Sequence, residues 1–229
     1  MKYEIVGNTV PYVEIKLNKG ESVYTQSGGM CWRDPNFEMI TDTKGGLFSG
    51  LGRMLSGDSL FMNTYKSLAD GATIAFASSA PGEIIPIKFD KNHPGLIAQK
   101  GSFLCAEDSI TLKVALTKKF GAGLFGGEGF VLQEIGGEGT VFLEVDGNTN
   151  KVELKDGESI LVDTGNIVCF DKTCKYEIET VKGIKNVIFG GEGLFLTKIT
   201  GPGMVIMQTQ NFRDFASRII PFIPTKNNN

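Results

Sequence analysis

A five-residue phrase occurs twice in this chain of 229 residues, and its spacing constrains the fold. Phe-Gly-Gly-Glu-Gly stands at residues 125–129 and again at residues 189–193, each time between two apolar runs. The surrounding segments, 95–145 and 159–209, align almost without gaps. A looser form of the phrase is found at residues 46–52. Since self-similarity at a fixed spacing indicates repeated structural units, we predict three short β modules in one chain, with the first module enlarged.

Glycine content and strand-length apolar runs support an all-β chain. Glycine makes up 30 of the 229 residues, almost twice the usual share of about 7%, and it lacks the Gly-X-Y period of collagen. Most apolar runs are separated by Gly, Asn or Asp, which is typical of strands joined by turns. The predicted modules cover residues 1–92, 93–156 and 157–229, and a helical stripe at about 45–56 predicts a small insertion in the first.

Two local elements can be predicted from shorter patterns. Residues 141–145 and 151–154 are apolar-rich runs on either side of an Asp-Gly turn, which predicts a β-hairpin. Residues 211–220 predict a C-terminal helix with Asn211 as its N-cap, ended by Pro221. We expect the apolar face of this helix to pack on its own domain, with docking on a neighbouring subunit as the alternative.

Three of the four cysteines follow the repeat. Cys105 and Cys169 each lie four residues after a repeated glycine, and Cys31 lies three after its counterpart. We therefore expect the three at equivalent positions and comparable depths, as small buried hydrophobes. A three-thiolate metal site would need all three sulfurs within about 2.3 Å of one ion. Modules lying side by side keep such positions apart, so we expect neither a metal nor a disulfide.

Four motifs together resemble the altered-inheritance-of-mitochondria (mitochondrial biogenesis) family and its bacterial homologues of unknown function. They are Gly57–Phe61 after Arg53, Pro81–Ile87, Leu124–Gly129, and Gln208–Asn211 ahead of the C-terminal helix. The resemblance covers nearly the whole chain. It implies a fold like that of the tryptophan RNA-binding attenuation protein (TRAP), built from short double-stranded β-helix modules. It also implies three modules per chain and three chains in a ring of nine modules, with no catalytic residues to carry over.

The repeated phrase does not predict a phosphate site. Residues 121–126 match the literal G-x-G-x-x-G pattern, but a dinucleotide site needs a helix to follow, and residues 130–132 indicate a strand. The second copy of the phrase lacks the extra glycines. Glu128 and Glu192 are therefore interpreted as turn carboxylates, with contact to a ligand or protein at a shared rim as the alternative.

No catalytic constellation is found elsewhere. Arg53 and Asp58 are interpreted as an ion pair that fastens the first-module insertion, with a contact role as the alternative. His93, the only histidine, lies in a turn between modules and has no recognisable nucleophile to serve. We predict that the chain is not an enzyme and needs no cofactor.

Charge and targeting signals narrow the function classes. With 23 basic and 26 acidic residues the net charge is −3, which argues against a nucleic-acid surface. We found neither a signal-peptide layout nor an apolar run long enough to span a bilayer, and we expect a cytoplasmic protein. The leading hypothesis is a homotrimeric scaffold that acts through contacts with itself and with an unidentified protein partner. The alternative is a ring that binds RNA or a small ligand, by analogy of fold alone.

Overall fold

A computed structural model describes five stretches of the chain: residues 1–26, 28–42, 62–118, 130–180 and 195–223. The predicted insertion at about 45–56 lies outside these residues. Within them, almost all regular structure is β, and a single α-helix lies near the C-terminus. The prediction of an all-β chain with a C-terminal helix is confirmed at this level.

The described strands are short, with four to nine residues each. The first group comprises β1 (Lys2–Val6), β2 (Tyr12–Leu17), β3 (Ser22–Gln26), β4 (Met30–Arg33), β5 (Phe37–Asp42), β6 (Met62–Ser67), β7 (Ala72–Ala77) and β8 (Gly82–Phe89). The second comprises β9 (Leu96–Gln99), β10 (Phe103–Glu107), β11 (Ile110–Lys118), β12 (Phe130–Gly137), β13 (Gly139–Asp146) and β14 (Thr149–Leu154). The third comprises β15 (Ser159–Asp163), β16 (Ile167–Asp171), β17 (Lys175–Thr180), β18 (Phe195–Thr200), β19 (Gly203–Gln208) and helix α1 (Phe212–Ile219).

Alternation of apolar and polar residues explains why these segments form half-buried strands. In β2 the side chains of Val13, Ile15 and Leu17 are buried. Glu14 and Lys16 between them are more exposed. Successive side chains of a strand point to opposite faces, so this pattern gives the strand one face for the core and one for its surroundings.

The strands form four antiparallel sheets. Two sheets have six strands each, in the orders β5-β6-β3-β10-β13-β8 and β11-β12-β9-β16-β19-β14. The other two are smaller, β1-β2-β7-β4 and β15-β18-β17. Each six-stranded sheet combines strands from two successive parts of the chain, joined by the pairs β3–β10 and β9–β16.

The order of strand pairing recurs along the chain. β9 pairs with β12, β11 with β12, and β10 with β13. In the same order, β15 pairs with β18, β17 with β18, and β16 with β19. The earlier part of the chain has the corresponding pairs β3–β6, β5–β6 and β4–β7.

The predicted hairpin between β13 and β14 is wrong. β13 pairs with β8 on one side and β10 on the other, so both of its edges are occupied. β14 instead pairs with β19 in a different sheet. The Asp-Gly turn is present, and Gly147 has a φ of 73°, but the chain leaves the turn towards another sheet. Local turn chemistry predicted the bend, whereas distant strands decided the partner.

Three clusters of buried apolar side chains form the core, and each lies between two sheets. The first contains Val13, Ile15 and Phe76. The second contains Leu96 and Val141, among others. The third is built around residues of β15, β16, β18 and β19. Each cluster therefore draws on strands that are distant in the sequence.

Helix α1 leaves about half of its apolar face exposed. It begins at Phe212 and ends at Ile219, and a 3-10 turn at Ile220–Phe222 contains Pro221. About half of the side chains of Phe212, Phe215 and Ile219 remains exposed. The expectation that this face packs on its own domain is therefore met only in part.

Candidate assembly edges

The sequence predicts four possible contact residues. Glu128, Glu192, Arg53 and Asp58 all lie outside the described residues. Both copies of the repeated phrase lie there as well. The roles suggested for these residues stay predictions.

His93 makes only local contacts among the described residues. Its ring stacks on Phe89, with 4.0 Å between the ring centroids and 8° between the planes. Its Nδ1 accepts a hydrogen bond of 3.1 Å from the backbone N–H of Gly95. These contacts stabilise the turn between β8 and β9, as expected for a residue of the connecting segment.

Strands β4, β10 and β16 share one irregularity. Each shifts its register by one residue against its neighbour, β7, β13 or β19 respectively. The first residue after the shift forms a facing pair with a residue of the neighbouring strand. In each of the three pairs, one side chain is large and the other is small. The three pairs are Trp32–Ala75, Cys105–Phe142 and Cys169–Ile206. Facing positions on paired strands share one space, so a large residue on one strand suits a small one on the other.

Two of the three irregular strands have a partner on their other side. β10 pairs with β3, which brings Cys105 opposite Thr25. β16 pairs with β9, which brings Cys169 opposite Ala98. The Oγ1 of Thr25 also donates a hydrogen bond of 2.6 Å to the carbonyl oxygen of Leu104. These two junctions hold successive parts of the chain together.

The third irregular strand, β4, has an open edge among the described strands. Trp32 is 46% exposed there, whereas Cys105 and Cys169 after the same register shift are completely buried. Cys31 beside it is exposed too. The edge of β4 therefore presents apolar side chains at positions that are covered elsewhere in the chain.

A second open edge belongs to β15, which ends its three-stranded sheet among the described strands. Ile97 of β9 lies opposite Phe170, and Tyr24 of β3 lies opposite Ala106. Both are almost fully buried. Leu161 of β15 is the counterpart of Ile97, because it directly precedes Val162 as Ile97 directly precedes Ala98. The side chain of Leu161 is 56% exposed. β15 thus has the apolar surface of β3 and β9 without a partner on it.

Our reading of the sequence missed both Trp32 and Leu161. A signal for Leu161 was available, because Ile160, Leu161 and Val162 form three consecutive apolar residues. A strand with apolar residues on both faces is typical of one that is covered on both faces. Trp32 lies in a similar run of Met30, Cys31 and Trp32, but the run does not show that β4 is an end strand among the described strands.

The cysteine prediction is correct for two residues and wrong for the third. Cys105 and Cys169 both follow the register shift, are fully buried, and have thiol pKa values raised by that burial. Cys31 lies within the shift instead, where Leu104 and Val168 are its counterparts, and it is exposed. Leu104 and Val168 are buried at this position, so the exposure of Cys31 reflects the open edge of β4 among the described strands. Among the described residues, no group of three or more metal-ligating side chains is found.

A polar cleft of about 420 Å³ separates α1 from the end of the third group of strands. The helix is anchored beside it, because the backbone N–H of Phe212 donates a hydrogen bond of 2.9 Å to the Oδ2 of Asp146. Burial raises the pKa of this carboxyl. The cleft is lined by Asn166, Thr209, Gln210, Asn211, Asp214, Phe215 and Arg218. It lies close to β15, since Asn166 belongs to the 3-10 turn that directly follows that strand.

These observations define an antiparallel all-β protein in which two sheets are shared between successive parts of the chain, and in which the end strands β4 and β15 have exposed apolar side chains. None of the described helices is long and apolar enough to cross a membrane.

The chain belongs to the mitochondrial biogenesis AIM24 family, whose model matches residues 3–210. It is 31% identical over 228 residues to an uncharacterized protein of Streptococcus pyogenes serotype M6, covering 95% of this chain and 89% of that protein. Among solved structures, it is similar to the crystal structure of a Streptococcus pyogenes protein, with a TM-score of 0.80 and 27% identity. That similarity covers 97% of this chain and 99% of the other. The family resemblance seen in the sequence is confirmed, and the family's function is unknown.

Proposed function

We propose that this protein is a non-enzymatic assembly protein that forms a ring from three copies of the chain. Each chain contributes three copies of one TRAP-like module, so that nine modules close the ring. The recurring order of strand pairing supports the modules. The number of three chains is what the family resemblance implies.

The observation that carries the proposal is the match between the two open edges. Inside the chain, β3 pairs with β10 and β9 pairs with β16. By the same rule, β15 of one chain pairs with β4 of the next. In this register Trp32 lies opposite Val162, as Cys105 lies opposite Thr25 and Cys169 opposite Ala98. The sheets β17-β18-β15 and β4-β7-β2-β1 then join into one. A head-to-tail interface forms a ring when its rotation closes, and the proposal is that three chains close it.

The proposed ring also removes a hazard of the isolated chain. An open strand edge with apolar side chains is a template for uncontrolled pairing. Head-to-tail pairing uses both edges in every chain, so a closed ring has neither edge left. This is one physical reason for the chain to assemble.

The proposed role is to act as a scaffold through protein contacts in the cytoplasm. The exposed apolar side chains of Phe212, Phe215 and Ile219 on α1 support a surface for such contacts. The four cysteines are free thiols, in keeping with a reducing compartment. For the alternative, a ring that binds RNA or a small ligand, the support is an analogy of fold alone.

Light scattering on the purified protein at micromolar concentration tests the ring. We expect a mass three times that of the chain. Leu161→Lys places a charge on the open edge of β15 at little cost to the isolated chain, because the side chain is largely exposed, and it is expected to yield monomers. Leu68→Lys is the matched control, since Leu68 is 50% exposed in the turn after β6, and it is expected to keep the trimer. A wild-type monomer, or a Leu161→Lys variant that remains trimeric, would contradict the proposal.

A further inference from the structure

Each junction inside the chain exchanges side chains between two cores. The first cluster, around Val13 and Phe76, is completed by three residues that come from β10 and β13. They are Leu104, Cys105 and Phe142. In the opposite direction, Tyr24 of β3 enters the second cluster. Met62 of β6 enters the second cluster as well. The junction therefore completes one core with residues of the next part of the chain, and the next core receives residues in return.

The second junction repeats this exchange. The second cluster, around Leu96 and Val141, is completed by residues of β16 and β19, namely Val168, Cys169 and Ile206. In return, Ile97 of β9 enters the third cluster. At both junctions, the donated set includes the cysteine that follows the register shift and the large residue opposite it.

Near the beginning of the chain, the corresponding residues have no preceding core that they could complete among the described residues. Cys31, Trp32 and Ala75 are the counterparts of Leu104, Cys105 and Phe142 by strand register. Trp32 packs edge-on against Tyr12, with 4.6 Å between ring centroids, yet 46% of its side chain is exposed. At the other end of the chain, Leu161 occupies the position of Tyr24 and Ile97 and is 56% exposed.

We infer that Trp32 of a second copy completes the third core of one chain. In exchange, the second copy receives Leu161 of the first chain. This inference rests on the proposed head-to-tail pairing of β15 with β4. At this junction the large residue lies on the irregular strand and the small one on its neighbour. Trp32 of β4 faces Ala75 of β7, whereas Cys105 of β10 faces the large Phe142 of β13. The indole supplies from β4 the bulk that Phe142 and Ile206 supply from β13 and β19. Trp32 is thus the anchor residue of the interface between chains, since a large aromatic side chain in a desolvated pocket commonly dominates an interface.

Trp32 is the only tryptophan in the chain, so its fluorescence reports directly on this interface. In the assembled wild-type protein we expect blue-shifted emission and weak quenching by acrylamide. In the Leu161→Lys variant, emission is expected to shift to the red and quenching to increase several-fold. Equal, strongly quenched emission in both proteins would overturn the inference.

Substitution of Trp32 tests its role as an anchor. Trp32→Ala is expected to raise the dissociation constant of the assembly at least tenfold. Leu68→Ala, at a similarly exposed leucine in the turn after β6, is expected to leave it unchanged. The double variant Trp32→Cys with Ala75→Phe recreates the pair formed by Cys105 and Phe142. It is expected to recover assembly that Trp32→Cys alone loses, and failure of this rescue, in a variant whose circular dichroism shows a folded β protein, would count against the inference.

The outcomes separate this inference from the proposed ring. A trimer with an exposed Trp32, unaffected by Trp32→Ala, overturns the inference and leaves the ring. An assembly of a different size with a buried Trp32 overturns the ring of three chains and supports the inference. A monomer at micromolar concentration overturns both.

Discussion

The hydroxyl of Tyr24 donates a hydrogen bond of 2.9 Å to the carbonyl oxygen of Ile110, 86 positions further along the chain. Tyr24 belongs to β3, and Ile110 is the first residue of β11. Both side chains are almost completely buried, and the Tyr24 ring stacks on Phe103 with 5.6 Å between centroids. Burial raises the pKa of the Tyr24 hydroxyl, so it remains protonated and able to donate at any physiological pH.

Tyr24→Phe is expected to lower the free energy of unfolding by about 1–3 kcal/mol, because it leaves a buried carbonyl without its partner. Urea unfolding followed by circular dichroism measures this change. Tyr3→Phe removes a hydroxyl from a side chain that is 44% exposed, and it should have almost no effect. Equal effects of the two substitutions would show that the hydrogen bond to Ile110 does not stabilise the fold.

Gly82 at the start of β8 is expected to resist replacement by alanine. It pairs with Asp146 at the end of β13, and a Cβ at this position would overlap the carbonyl oxygen of Val145. Gly82→Ala must therefore separate β8 from β13, at a cost of about 1–3 kcal/mol. Gly101→Ala is the matched control, since a Cβ there meets no atom within 4 Å. Thermal unfolding compares the two, and an unchanged midpoint for Gly82→Ala would contradict the expectation.

Glu144 is expected to make stability depend on pH. Its carboxylate accepts hydrogen bonds from the backbone N–H and the hydroxyl of Ser79, at 2.7 and 2.8 Å. Burial nevertheless raises its pKa above the ordinary value, against the opposing effect of these hydrogen bonds. The folded state then binds this proton more tightly than the unfolded chain does, so this contribution to stability is present at low pH. It is lost as the pH rises through the folded-state pKa.

Glu144→Gln keeps an oxygen acceptor for Ser79 and removes the titration. We expect the urea midpoint of the variant, relative to wild type, to increase from pH 4.5 towards neutrality. Gln208 already occupies the corresponding position on β19, where its Oε1 accepts a hydrogen bond of 3.0 Å from the backbone N–H of Asp146. A constant difference between variant and wild type over this pH range would show that Glu144 does not titrate there.

Cys31 is expected to be protected from thiol reagents by assembly. In the isolated chain it is exposed, whereas burial raises the pKa values of Cys105 and Cys169 and makes both unreactive. The assembled wild-type protein should therefore show no fast-reacting thiol, and the Leu161→Lys variant should show one. Adding Cys31→Ser to that variant should remove the fast reaction. A fast thiol in the assembled wild-type protein would contradict burial of this edge.

The sequence by itself determined the structural class and the approximate positions of most strands. Alternation such as that of Val13, Ile15 and Leu17 is a local property, because side chains alternate along every strand whatever its partner is. The helix after Asn211 was predicted for the same reason, since its signals lie within a few residues of each other. The family could also be recognised from motifs that stand in the sequence.

Only the tertiary structure decided which strands pair and which side chains remain exposed. The Asp-Gly turn before β14 predicted a hairpin, yet the edges of β13 were already taken by β8 and β10, which lie far away in the sequence. Cys31 was placed with Cys105 and Cys169 by its spacing from a glycine, but Trp32 is their counterpart by strand register. Cys31 and Trp32 are both exposed because β4 is an end strand among the described strands. Strand pairing depends on contacts between distant segments, and a shift of one residue reverses the face of a side chain. The open edges of β4 and β15 could therefore be found only from the pairing of all the described strands.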